Sequence, residues 1–138
     1  MKEKILLCTI LLILFFSFKG EAVTFRGDVS ISNYGYGMGL QSPVNEGWSI
    51  TLTSHIRQDK SYTRTGLRYS TSINEHTYFG GVSHVMLRKR GGIIRSRFDL
   101  GVGVERSFDR RSSISIEGGY STAVPQNYYY IFSLKLRI

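Results

Sequence analysis

The sequence predicts an all-β fold of eight antiparallel strands, and three observations predict it. From about residue 23 onward apolar and polar side chains alternate with a period of two, no segment shows a helical period, and clusters of Gly, Pro, Asn, Asp and Ser separate the alternating runs. A period of two puts successive side chains on opposite faces of an extended strand, so each run carries one apolar and one polar face.

Eight runs follow in order. The first two, residues 25–32 and 34–41, meet at an ill-defined connection over 32–34, and the second alternates glycine through Gly35, Gly37 and Gly39. Pro43 and Asn45 interrupt the pattern over 42–47, and the third run, 48–56, starts at Trp48. The polar stretch 57–61 leads into the fourth run, 62–70, and the stretch 71–76 into the fifth, 77–87. After a basic turn over 88–92, the sixth run, 93–108, sets Ile94, Phe98, Leu100, Val102 and Val104 against Arg95, Arg97, Asp99, Gly101, Gly103 and Glu105. The seventh run, 113–121, follows the turn 109–112, and the connection 122–127 with Pro125 leads to the eighth, 128–138. That last run alternates most clearly, with Tyr128, Tyr130, Phe132, Leu134, Leu136 and Ile138 opposed to Ser133, Lys135 and Arg137. Connections this short join neighbouring strands antiparallel, so an up-and-down order is the simplest topology.

Residues 1–22 read as a cleaved signal peptide, and residues 23–138 as the mature domain. Lys2 and Lys4 precede an apolar stretch over 5–18, and the small residues Gly20 and Ala22 stand before a cut at Val23. The apolar stretch is shorter than the ~20 residues of a spanning helix. Cys8 leaves with that segment, so a disulfide framework is excluded. The remaining 116 residues make one domain with 15 Lys or Arg, 8 Asp or Glu and a net charge of +7. A basic balance suits phosphate, which an exported chain meets in anionic lipids and lipopolysaccharide; no nucleic-acid partner is expected.

Alternation alone does not say which face points outward: a soluble β-sandwich buries the greasy face, a membrane barrel exposes it. Four further observations favour a transmembrane eight-stranded barrel. Eight strands of about ten residues consume nearly the whole domain, and ~9–11 tilted residues cross a bilayer. Glycines at Gly35, Gly37, Gly39, Gly101, Gly103 and Gly119 lie on the polar face, where a narrow lumen is crowded. Charges of both signs fall in mid-strand on that face, at Asp28, Arg64, Arg68, Arg95, Arg97, Asp99, Glu105, Glu117, Lys135 and Arg137, and form a candidate lumen network in which cations outnumber carboxylates. Trp48, Tyr62, Tyr78, Tyr120 and Tyr128 lie near strand ends, as an interfacial aromatic girdle requires.

The stretch LGVGVERSFDRRSSISIEGGY, residues 100–120, resembles the late hairpin of small outer-membrane barrels of the OmpX, Ail and Lom kind. The resemblance extends to the export signal and the amphipathic final strand. It implies a monomeric barrel in the outer membrane, with envelope lipids, lipopolysaccharide and a surface or host molecule as partners, and no cofactor. The chain differs in ending on Ile138 rather than an aromatic residue and in the shortness of its connections.

Catalytic and metal chemistry find little footing. Ser121 follows Gly119 and Tyr120 where lipid A deacylases of this barrel class carry a histidine, so it has no base beside it. His55, His76 and His84 share no ligand spacing. The basic turns carrying Arg57, Lys60, Arg88, Lys89 and Arg90 are candidate lipopolysaccharide- or anion-binding sites, because strand counting from a periplasmic amino terminus puts both outside the cell. The sequence thus predicts a non-enzymatic outer-membrane barrel with a structural or surface-interaction role. The alternatives are a secreted or periplasmic β-sandwich binding module and a lipid A-modifying barrel enzyme.

Overall fold

The computed structural model describes Lys4, residues 25–92 and residues 94–137. The expected signal peptide, apart from Lys4, and the chain end at Ile138 lie outside the described residues. Among the described residues eight strands are present: β1 Arg26–Ser32, β2 Gly35–Asn45, β3 Trp48–Arg57, β4 Lys60–Ile73, β5 His76–Lys89, β6 Ile94–Ser107, β7 Ser112–Ser121 and β8 Tyr128–Arg137. Each pairs antiparallel with the next, and β8 closes onto β1, from Arg26 opposite Arg137 to Ser32 opposite Ile131. Closure gives every strand a partner on both sides across the barrel wall, which a bilayer interior demands, and only strand ends run on beyond a neighbour.

Most strands run further than the sequence suggests, because the turns between them are tighter. Residues 33–34, 46–47, 58–59 and 74–75 are two-residue turns. Gln58 (φ 53°) and Asn74 (φ 57°) take the left-handed conformation that such hairpins use. The connection left undefined by sequence is one of these: Gly35 follows it at φ 106°, where a Cβ would run into the Ile56 carbonyl. Pro43 does not end β2 but shifts the β2–β3 register between Pro43 and Asn45, since proline contributes no N–H to the ladder.

The faces are those of a membrane protein. On β6, Leu100 and Val102 are 63% and 70% exposed, whereas Asp99 between Phe98 and Leu100 is 1% exposed. Val29, Ile31, Phe132, Leu134 and Leu136 likewise project outward on β1 and β8. A continuous apolar belt of this extent is unstable against water and at home in lipid. Closure of a single sheet with its greasy side outward overturns the soluble-sandwich alternative.

Aromatic residues band the belt at both ends. Trp48, Tyr69 and Tyr78 stand near the end at which β1 begins and β8 finishes, with Trp48 and Tyr69 edge-to-face at 5.1 Å; Tyr36, Phe98, Tyr120 and Tyr128 stand near the other. Tyr62, expected in the girdle, is instead 4% exposed and turned into the lumen. The parity of β4 explains this: Tyr62 shares the inward face with Arg64, Gly66 and Arg68.

Candidate functional site

The lumen is packed in layers. At the end away from Arg26 and Arg137, the mouth, Tyr34, Tyr62, Val85, Leu87, Ala123, Val124, Tyr129 and Ile131 form a buried apolar plug. Tyr34 belongs to the β1–β2 turn, yet its ring points inward and is fully buried. Its hydroxyl donates to the Asp99 carboxylate at 2.6 Å and lies 2.7 Å from Ser121 Oγ, from which it accepts.

Below the plug lies the first ionic layer. Arg64 donates from Nε to Asp99 at 2.9 Å and from Nη2 to Glu117 at 3.2 Å. Glu117 also accepts from Arg68 Nη2 at 2.6 Å and from the Tyr129 hydroxyl at 2.7 Å. The Arg68 guanidinium sits 3.9 Å from the Phe79 ring centroid, so its remaining face meets a π-cloud. Toward the opposite end Glu105 accepts from Lys135 and from Arg26, each at 2.8 Å, and Arg26 donates to Ser113 Oγ at 2.7 Å. A void of about 10 Å³ beside Arg68, Phe79 and Glu117 remains, room for about one water.

The expected network therefore contains Arg64, Arg68, Asp99, Glu105, Glu117 and Lys135. Asp28 faces the lumen, half-buried, but makes no ion pair among the described residues. Arg95, Arg97 and Arg137 were expected in the network and stand outside it. Arg95 and Arg97 occupy the part of β6 beyond the Asp99–Ser121 pair, where β7 no longer runs alongside and the side chains reach water. Arg137 lies across from Arg26 at the end of the ladder, and Arg26 takes the place at Glu105. The predicted excess of positive charge inside consequently disappears, because Arg26, Arg64, Arg68 and Lys135 match Asp28, Asp99, Glu105 and Glu117 in number. Arg26, Tyr34 and Tyr129 were missed. Arg26 had a signal, lying two residues before Asp28 on the same strand face; Tyr34 had a misleading one, since as the first residue of the expected run 34–41 it shares the parity of the outward Tyr36, Met38 and Leu40, whereas it lies in the turn before β2 and folds inward.

The net charge of the domain resides at the ends of the barrel, and unequally. Arg57, Lys60, Arg88, Lys89, Arg90, Arg95 and Arg97 surround one half of the mouth, with Asp59 the sole carboxylate there among the described residues. Strand pairing assembles them: Arg57 lies opposite Lys60, Lys60 opposite Lys89, and Leu87 opposite Arg95. No ion pair among the described residues joins any of these cations to Asp59. Arg57 donates to the Asn33 carbonyl at 2.9 Å and keeps further N–H groups free for solvent. At the terminal end Arg106, Arg110, Arg111 and Arg137 face Glu46, Glu75 and Asp109, so charge there is nearly balanced. Asp109 Oδ1 accepts from the backbone N–H groups of Arg111 and Ser112 at 2.7 and 2.8 Å, which holds its carboxyl below the usual range and marks a turn.

Ser121 is fully buried, bonded to Tyr34 and accepting from the Ala123 N–H at 3.0 Å; it holds the plug and faces no lipid. His55 is also fully buried, with Nε2 3.1 Å from Ser30 Oγ. His84 packs edge-on against Phe98 at 5.4 Å on the outer face, and His76 lies beside Tyr78 at the terminal end. The three histidines thus sit in three different surroundings, lumen, outer face and terminal end, each with its own ring partner.

The inverted faces, sealed lumen and complete antiparallel closure define an eight-stranded transmembrane β-barrel of the outer-membrane type. The chain is similar to the amino-terminal β-barrel domain of Pseudomonas aeruginosa OprF, with a TM-score of 0.57 and 11% identity over 84% of this chain and 96% of that one. It is equally similar to a de novo designed transmembrane β-barrel, with a TM-score of 0.58 and 9% identity over 87% and 98% of the two chains. Ail, the attachment invasion locus protein of Yersinia pestis, aligns over 84% of this chain and 97% of its own with a TM-score of 0.40 and 13% identity. At such identities what the first two share with this chain is the fold. No protein-family model and no curated protein matches the sequence.

Proposed function

We propose that this protein is exported on the signal peptide of residues 1–22, inserts into the outer membrane as a closed monomeric barrel, and acts without catalysis by holding the phosphates of lipopolysaccharide at its basic mouth. Both ends of the described domain then lie on the periplasmic side, and the Arg- and Lys-bearing turns lie outside. The observation that carries the reading is the segregation of charge. Seven cations against Asp59 border one half of the mouth, while the lumen charges neutralise one another and the far end is nearly balanced. Clustered guanidinium and ammonium groups bind phosphate by charge-assisted hydrogen bonds, and the outer leaflet presents phosphate at that level. The packed lumen supports a role at the surface over one as a diffusion pore.

The test compares the wild-type barrel with the triple variant Arg88→Gln, Lys89→Gln, Arg90→Gln in phospholipid nanodiscs with and without lipopolysaccharide. Lipopolysaccharide is expected to raise the unfolding midpoint of the wild type, and the increment to shrink in the variant and at high salt. Equal increments in the two proteins would refute the reading.

A further inference from the structure

The half of the mouth that carries no basic turn is shaped differently. The β1–β2 hairpin stops short, because its turn at 33–34 has two residues and Tyr34 folds inward rather than extending the strand. Its neighbours continue past it. The result is an open cleft of about 410 Å³, with Tyr36 and Arg57 on one side, Tyr128, Tyr130 and Gln126 on the other, and Asn33 on its floor. A cleft of this volume falls in the ~300–1,000 Å³ range of small-molecule sites.

Asn33 is committed to the structure: its Nδ2 donates to the Tyr128 carbonyl at 2.9 Å and its Oδ1 accepts from the Tyr130 N–H at 3.2 Å, which fixes the hairpin against β8. The other polar groups are not committed. Among the described residues the hydroxyls of Tyr36, Tyr128 and Tyr130 and the Gln126 amide make no hydrogen bond, and Arg57 uses one guanidinium N–H on the Asn33 carbonyl. The three tyrosine rings are 75%, 57% and 43% exposed. Exposed aromatic faces lined by free hydroxyls, an amide and one guanidinium offer apolar contact to the C–H face of a sugar ring and partners to its hydroxyls, with a cation for an attached phosphate.

We infer that this cleft is a saccharide site, and that it takes a sugar of the phosphorylated oligosaccharide of outer-leaflet glycolipid. The inference rests on the lipopolysaccharide reading above and adds a second contact to it: the basic turns hold phosphate, and the tyrosine cleft holds the ring. The cleft lies level with the aromatic band at the mouth, where the sugars nearest the acyl chains are found. Arg57 belongs to both regions and joins them.

The test uses the folded barrel in detergent micelles and isothermal titration with two probes: lipopolysaccharide oligosaccharide stripped of its acyl chains with phosphates intact, and the same oligosaccharide dephosphorylated. Inorganic phosphate serves as a third titrant to separate plain anion binding. The wild type is expected to bind both oligosaccharides, and Tyr36→Ala with Tyr128→Ala to weaken both about tenfold. Gln126→Ala, a loop substitution that spares the strands, should weaken both less. The Arg88, Lys89, Arg90 triple variant should lose affinity for the phosphorylated probe alone. The inference is overturned if the wild type ignores the dephosphorylated probe, or if the tyrosine double variant, shown folded by its mobility before boiling, binds both probes as the wild type does. A triple variant that binds the phosphorylated probe at wild-type affinity overturns the phosphate reading and leaves the tyrosine result to stand or fall by itself.

Discussion

Replacing Arg64 by methionine removes one side chain from two ion pairs in the centre of the barrel. Arg64 contacts Asp99 at 2.9 Å and Glu117 at 3.2 Å, and its guanidinium lies 5.0 Å from the Tyr129 ring centroid. In its absence Glu117 keeps Arg68 and Tyr129, but among the described residues Asp99 keeps only the Tyr34 hydroxyl. Most of the cost therefore falls on Asp99, a carboxylate that is fully enclosed. Stranding a buried charge this way costs about 3–5 kcal/mol. At a urea slope of about 2 kcal/mol/M the unfolding midpoint should drop by about 1.5–2.5 M. Arg95→Met, at an exposed position on β6, should stay within about 0.5 kcal/mol of wild type. Trp48, the single tryptophan, reports unfolding from lipid vesicles by fluorescence. Adding Asp99→Asn to Arg64→Met should recover part of the loss, because the stranded charge goes with it. Equal midpoints for Arg64→Met and Arg95→Met, or no recovery in the double variant, would refute the network.

Two further expectations follow from the face assignment. Leu134→Arg puts a charge on the lipid face and should cost about 2–4 kcal/mol if near mid-bilayer, read as reduced folding yield into vesicles; wild-type yield would contradict the outward orientation. Gly101→Ala should destabilise the barrel by about 1–3 kcal/mol in the same urea assay, since the new methyl meets the Tyr129 hydroxyl and the Gly118 carbonyl, whereas Gly80→Ala, with nothing nearer than 3.7 Å, should be neutral; the reverse order would contradict the lumen packing.

Much of the fold was legible because a period of two is a local property of the chain. Runs such as 94–104 and 128–136 display both faces within a few residues, and every expected strand is found with ends moved by at most four residues. The direction of the greasy face was not local: it emerged from chain length, polar-face glycines and mid-strand charge taken together. The charge network was legible where strands have neighbours on both sides, as at Arg64, Glu105 and Glu117. Parity failed at Arg95 and Arg97, because the same inward parity means lumen beside β7 and open water beyond its end. Tyr34 and the cleft above it were illegible for a related reason. A turn residue that folds inward, and a hollow left between elements of unequal height, exist only once the strands are assembled.

A closed barrel with its apolar face in the outer membrane is checked by electrophoresis of the membrane-fractionated protein with and without boiling. The barrel should be recovered with outer membranes and, unboiled and still folded, should migrate with a different mobility. Recovery in the soluble periplasmic fraction, with one mobility regardless of boiling, would contradict it.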